Sequence, residues 1–299
     1  MTCAHAIFAA TARCVRKINR TRRFDRTRPA RRLQRRVKAY WLDGIDALFA
    51  YMAEVDGWEK LQGHVQLALA GKAVAKAMSD ADRRLLVELL AKFGYFGDVA
   101  KAAQEIIEAT SMPTFEEAAT FALKRLGIAS PNFELRNERV RDLLLSRSEA
   151  AIYSTRNYID DALATVVSQF YELGEHPHSQ AMLDGLKKSL GYKADWEAKR
   201  FALTETGIAC ELAQAETYRR NGVAGKQWNI LGSNTRPTHA ALAGAVIAID
   251  AKFDVGGFAA DHPLDPKLPP EELCNCHCWL SPVVDEGFEV DPANIWEGQ

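Results

Sequence analysis

The sequence predicts a mainly α fold: long helices followed by a small C-terminal α+β module rich in loops. Three observations predict it. Apolar residues recur at helical spacing through most of residues 39–221. Beyond Gly225 the pattern changes: Pro, Gly and Asp become frequent and short β-type runs replace the helical period. The basic side chains also cluster near the N-terminus, which separates an arm from a body. The expected organisation is an arm over 1–38, a helical region over 39–221 and the module over 222–299.

Residues 13–38 carry 13 Lys and Arg against one acid, Asp25, so the stretch is +12 in a chain of net −1, and the remainder is −13. Like charges at this density oppose collapse. The arm is therefore expected to be disordered alone, and helical from Ala30 when bound. Two readings stay open. It is a solvated tail, or it contacts nucleic-acid phosphates through Arg22, Arg23, Arg26, Arg28, Arg31, Arg32, Arg35 and Arg36.

The helical region begins with Trp41, Leu42, Ile45, Leu48, Phe49 and Met52 on one stripe. Gly57, Gly63, the Gly-rich stretch 93–97 and Met112 with Pro113 divide the rest into segments. Ser79 and Asp80 suit the start of a helix containing Leu85 and Leu89. Thr114 suits the start of one containing Phe121 and Leu126. A periodic stretch over 138–173 has no Pro or Gly, and Gly174, His176, Pro177 and His178 end it. A shorter helix to Leu190 comes next, then another over 194–220, with Asn221 and Gly222 closing the last. Strands are expected over 226–230, 246–249 and 279–284.

Composition sets limits. Apolar residues at 47%, aromatics at 9% and charged residues at 26% are values of a folding, globular chain. No run approaches the ~20 apolar residues that span a bilayer, so no membrane partner is expected. The apolar stretch 4–12 is short and precedes the basic cluster, unlike a secretory signal. Three of the six cysteines fall within 274–278, which suits free thiols or a metal site in a reducing compartment better than a disulfide framework.

The candidate chemistry lies in the module. In an extended segment Cys274, Cys276 and Cys278 share one face and His277 takes the other. Two thiolates there hold zinc if another loop supplies an imidazole, His239 or His262. The alternative is reduced, partly buried cysteines on a strand. Thr235 or Thr238 can cap a short helix with Pro237 in its first turn. Arg236 and His239 then share a face of that helix. A catalytic reading would recruit Cys276, Glu205 or Asp265. The preferred reading is a buried polar network that ties long loops together.

Taken in order, these residues resemble the phage head-morphogenesis family, the minor head proteins similar to protein F of phage Mu. The resemblance runs from Thr204 to Val284. It comprises Thr204, Glu205 and Thr206; Lys226 and Trp228; Thr235, Arg236 and His239; Leu242 and Gly244; Phe253; Pro263 and Asp265; and Asn275, Cys276 and Cys278. Gly232, Ser233 and Asn234 replace an Asp-x-Arg of the family pattern, and His277 replaces an Arg. The resemblance implies a structural, non-enzymatic virion protein without a cofactor, from a phage, a prophage or a gene-transfer particle. It would be present at low copy in the capsid interior or at the portal vertex, and in the host cytoplasm during assembly. Its partners would be the portal protein and the major capsid or scaffold protein, with DNA held by the arm. The alternatives are an enzymatic or toxin-type module using His239, Cys276 and Glu205, and a zinc-stabilised binding module held by Cys276, Cys278 and His239.

Overall fold

The computed structural model describes residues 23–53, 98–128, 142, 144, 146–158, 161 and 180–284. Arg22 and the features expected at 57–97, 129–141 and 162–178 lie outside the described residues. The fold is mainly α with a small C-terminal α+β module. The long helices are α1 (Thr27–Ala53), α2 (Val99–Arg125) and α3 (Gln180–Arg220), and 146–158 is also helical. Among the described residues, no helix is long and apolar enough to cross a membrane.

The helix α1 corrects the expectation for the arm. It starts at Thr27, inside the basic stretch. Ala30, Leu33, Val37, Trp41 and Ile45 recur every three or four residues, and all are buried. That stripe supplies the apolar burial that a uniformly charged tail lacks. Arg28, Arg31, Arg35 and Arg36 stay exposed, Arg23 and Arg32 are half-buried, and Arg26 is buried.

Two expected breaks do not occur. Pro113 sits inside α2, which runs through it as one 27-residue helix. Proline there removes one backbone donor. Thr114 is therefore no N-cap; its hydroxyl donates back to the Thr110 carbonyl at 2.7 Å. Gly191 likewise lies within the 41-residue α3. Both helices end as left-handed glycine caps. Gly127 (φ 74) and Gly222 (φ 65) are followed by Ile128 and Val223, whose N–H groups donate to the Leu123 and Tyr218 carbonyls at 3.0 and 3.1 Å.

The chain forms two compact units. One comprises 32–107 and 145–201. In it Trp41 stacks on Tyr158, with ring centroids 4.4 Å apart, and donates from Nε1 to Thr155 at 3.0 Å. The other comprises 1–31, 108–144 and 202–299, so the strands share a unit with the C-terminal parts of α3 and α2. Its sheet has the order β2 (Val246–Ala248), β1 (Gly225–Asn229), β5 (Trp279–Val283), antiparallel throughout. All three strands were expected, to within about a residue. A hairpin of β3 (Phe253–Val255) and β4 (Phe258–Ala260) was not. Gly256 and Gly257 turn it with φ of 60 and 90, the two positive angles that a tight hairpin turn requires. Two short helices, α4 (Pro237–Ala240) and α5 (Pro270–Leu273), complete the unit. Its core joins Ile208 and Tyr218 of α3 to Trp228, Ile247, Phe253 and Leu280.

Candidate functional site

Pro237 opens α4 in its first turn, as expected, but neither threonine caps it. Thr235 donates to the Gly232 carbonyl at 3.1 Å, and Thr238 donates to Glu272 Oε2 at 2.9 Å. The single turn places His239 inward, where it is 1% exposed. Its ring meets the edge of Trp228, with centroids 5.4 Å apart and planes at 85°. Trp228 in turn packs edge-on to Phe253 at 5.1 Å.

The second half of the site comes from the segment between α5 and β5. Cys274 caps α5 with extended backbone, and Asn275 adopts a left-handed φ of 56. That turn breaks the alternation expected for 274–278. Cys276 and Cys278 are buried against His239, His277 is exposed, and Cys274 is only half-buried and outside the cluster. Arg236 holds the turn by donating to the Cys274 carbonyl at 2.6 Å.

Among the described residues, one group of potential ligand atoms converges: His239, Cys276 and Cys278, all within 4.8 Å of one another. The Cys276 and Cys278 sulfurs lie 3.5 and 3.4 Å from His239 Nδ1. The other ring nitrogen, Nε2, lies 3.0 Å from Glu272 Oε2, without the alignment of a straight hydrogen bond. Arg236 reaches the same carboxylate oxygen at 3.8 Å. Arg236 and His239 thus share a face, as expected, and the acid they share is Glu272. Its signal in the sequence was slight: an acid on a short proline-started helix just ahead of the cysteines.

The thiols share their protons unequally. A hydrogen bond from Cys278, together with His239, pushes the Cys276 thiol down despite its burial. The Cys278 thiol is pushed up, by donating to Cys276 and by burial. The Trp228 N–H, which has no oxygen or nitrogen partner, favours the ionised Cys278 sulfur.

The remaining expected residues hold the frame. Thr204, Glu205 and Thr206 are buried on α3. Gly244 (φ 80) donates its N–H to the Trp228 carbonyl at 2.9 Å. Asp265 accepts from the Asp261 and Lys267 backbone N–H groups at 2.8 and 3.0 Å, and Pro263 accepts from His262 Nδ1 at 2.9 Å. Asn275 supplies the left-handed turn.

Arg26 corrects its expected role as a nucleic-acid contact. It pairs with buried Glu211 and donates to the Cys278 carbonyl at 3.0 Å. Glu211 also accepts from Gln214 at 3.1 Å and from the Leu280 backbone at 2.7 Å. Burial pushes the Glu211 carboxyl up, opposed by Arg26 and the Leu280 N–H. The donors surrounding it suit the ionised carboxylate, which only accepts.

The fold and this cluster define a class: a mainly α protein whose C-terminal module closes around one imidazole and two thiols. No protein-family profile matches the chain, and no solved structure matches it. The chain is similar to uncharacterized protein YqbB of Bacillus subtilis (strain 168), 28% identical over 221 residues that cover 71% of this chain and 70% of that protein.

Proposed function

We propose that the protein is a minor capsid protein acting in head morphogenesis of a tailed phage or phage-like particle, associated with the portal and with procapsid assembly. One observation carries the reading. Residues scattered along the motif that resembles the head-morphogenesis family meet in space: Trp228, Arg236, His239, Cys276 and Cys278 form one cluster. Chance matches to a pattern have no reason to converge.

Burial favours a structural role for that cluster over an enzymatic one. His239, Cys276 and Cys278 are 1%, 6% and 2% exposed, whereas a nucleophile and its base must reach a substrate. The work of the motif is then to lock loops of one unit into a rigid surface. Portal, major capsid or scaffold proteins are the partners that such a surface would meet. The exposed Arg28, Arg31, Arg35 and Arg36 supply positive charge for packaged DNA.

The test is co-assembly. Expressed with the portal, scaffold and major capsid proteins of its own source, the chain should sediment with portal-containing shells. If shells form with the chain wholly excluded, and particles lacking it package DNA normally, the reading fails. His239→Ala should lower thermal stability and shell incorporation together.

A further inference from the structure

We propose that His239, Cys276 and Cys278 bind a zinc ion, which goes beyond the structural role proposed above and does not depend on it. The geometry around the imidazole points to this. Both sulfurs lie at nearly the same distance, 3.5 and 3.4 Å, from one nitrogen, His239 Nδ1. An imidazole nitrogen offers one lone pair in the ring plane. It can take a hydrogen bond from one thiol well, not from two equivalently. A shared cation between the three atoms removes that conflict. Zinc–sulfur bonds of about 2.3 Å and zinc–nitrogen bonds of about 2.0 Å, at the tetrahedral angle, separate nitrogen from sulfur by about 3.5 Å. The two nitrogen–sulfur distances already match, and the three ligand atoms lie within 4.8 Å of one another.

The surroundings are those of a metal site as well. Metal-ligating histidines almost always commit their second nitrogen to a carboxylate or carbonyl, which fixes the tautomer. Here Glu272 stands 3.0 Å from Nε2 and is itself held by the Thr238 hydroxyl at 2.9 Å. Arg236 pins the Cys274 carbonyl, and the left-handed Asn275 turns the chain so that both sulfurs face one nitrogen. The ligands are thus set by restraints from α4, α5 and the turn that follows α5. Two thiolates and an imidazole are soft donors, which select zinc over magnesium or calcium. Three protein ligands leave the fourth position to water. The ion would tie α4 to the segment entering β5, which lie 37 and 39 residues apart in the chain.

The test uses the full chain, purified under reducing conditions without chelator. It should carry one zinc per chain. Exchange with cobalt(II) should produce a thiolate-to-cobalt charge-transfer band that Cys276→Ser and Cys278→Ser abolish. Chelation should lower the melting temperature. Because His239 packs on Trp228, His239→Ala could fail to fold; Glu272→Gln, outside the ligand set, should fold and weaken zinc affinity by about 10- to 100-fold. A folded chain with titratable thiols that takes up neither zinc nor cobalt stoichiometrically overturns the proposal. So does a Cys276–Cys278 disulfide in the folded chain.

Discussion

At the scale of single residues, the buried charges govern stability. Arg26 is 5% exposed and Glu211 fully buried, and the pair sits beneath the Cys278 carbonyl and the Leu280 N–H. Removing one partner leaves an uncompensated buried charge, which costs about 3–5 kcal/mol. Arg26→Met should therefore destabilise the protein by that amount in urea unfolding, and Arg26→Met with Glu211→Met should recover part of the loss. An unchanged midpoint for the single variant would contradict the pairing. Lys226 makes a different prediction. Burial pulls its pKa from an ordinary 10.5 to about 8; Asp261, Asp250 and Asp265 oppose the shift and Arg219 adds to it. The amine donates to the Asp261 carbonyl at 2.8 Å and lies over the Phe253 ring. Between about pH 8 and 10.5 the unfolded chain holds a proton that the folded chain has released. Stability should rise with pH across that window, by up to about 3 kcal/mol. Lys226→Met should lack this rise, and parallel pH dependence in both proteins would refute the assignment. Neither charge was legible in the sequence. A basic run hides an arginine that turns inward, and its glutamate partner lies 185 residues away.

At the scale of elements, what could be read depended on whether the signal was local. The three strands of the main sheet were legible because β-type runs stood between glycine and proline punctuation. Gly222 was legible as a helix end because a left-handed cap needs little beyond its own residue. The continuity of α2 and α3 through Pro113 and Gly191 was not, and around Pro113 packing overrides propensity. Phe115, Ala118 and Ala119 of α2 share a core with Ala209, Cys210 and Ala213 of α3. The same dependence on packing gives Gly207 its role. A Cβ at this position in α3 would meet Leu264 Cδ1 at 2.5 Å and Arg26 Nη1 at 3.2 Å. Leu264 has little freedom to withdraw, being fully buried with a left-handed φ of 61. Gly207→Ala should gain helix propensity worth about 1 kcal/mol yet lose about 1–3 kcal/mol to overpacking. The expected balance is a lower melting temperature, most visible in amide exchange of the turn around Leu264. A rise in melting temperature would show that the loop moves aside freely. The candidate site obeyed the same rule. His239, Cys276 and Cys278 stood out by residue type, whereas Glu272 became visible only once α4 and α5 were brought together.

At the scale of the whole molecule, the charge asymmetry remains but its meaning is sharper. Residues 13–38 are +12 in a chain of net −1. Some of those cations are already engaged internally, among them Arg26 with Glu211 and Lys38 with Asp195. Exposed along α1 are Arg28, Arg31, Arg35 and Arg36, whose positions are the complement of the buried stripe of Ala30, Leu33 and Val37. One helix therefore serves two purposes: its apolar side holds it to the fold, and its other side presents guanidinium groups. Deleting residues 1–38 would remove both together and unsettle the folded unit that Arg26 stabilises. The informative variant replaces Arg28, Arg31, Arg35 and Arg36 with Gln, which keeps the helix formers. Each phosphate neutralised by a protein cation steepens the dependence of log affinity on log salt by about 0.9 for duplex DNA. If all four arginines engage phosphates, the variant should bind nonspecific duplex DNA more weakly at low salt, with a slope smaller by up to about 3.6. Its thermal unfolding should stay close to that of the parent, because all four side chains are exposed and exposed ion pairs contribute at most about 1 kcal/mol each. Equal slopes in parent and variant would mean that the exposed face of α1 does not touch DNA, and would turn the search for its partner toward an acidic protein surface.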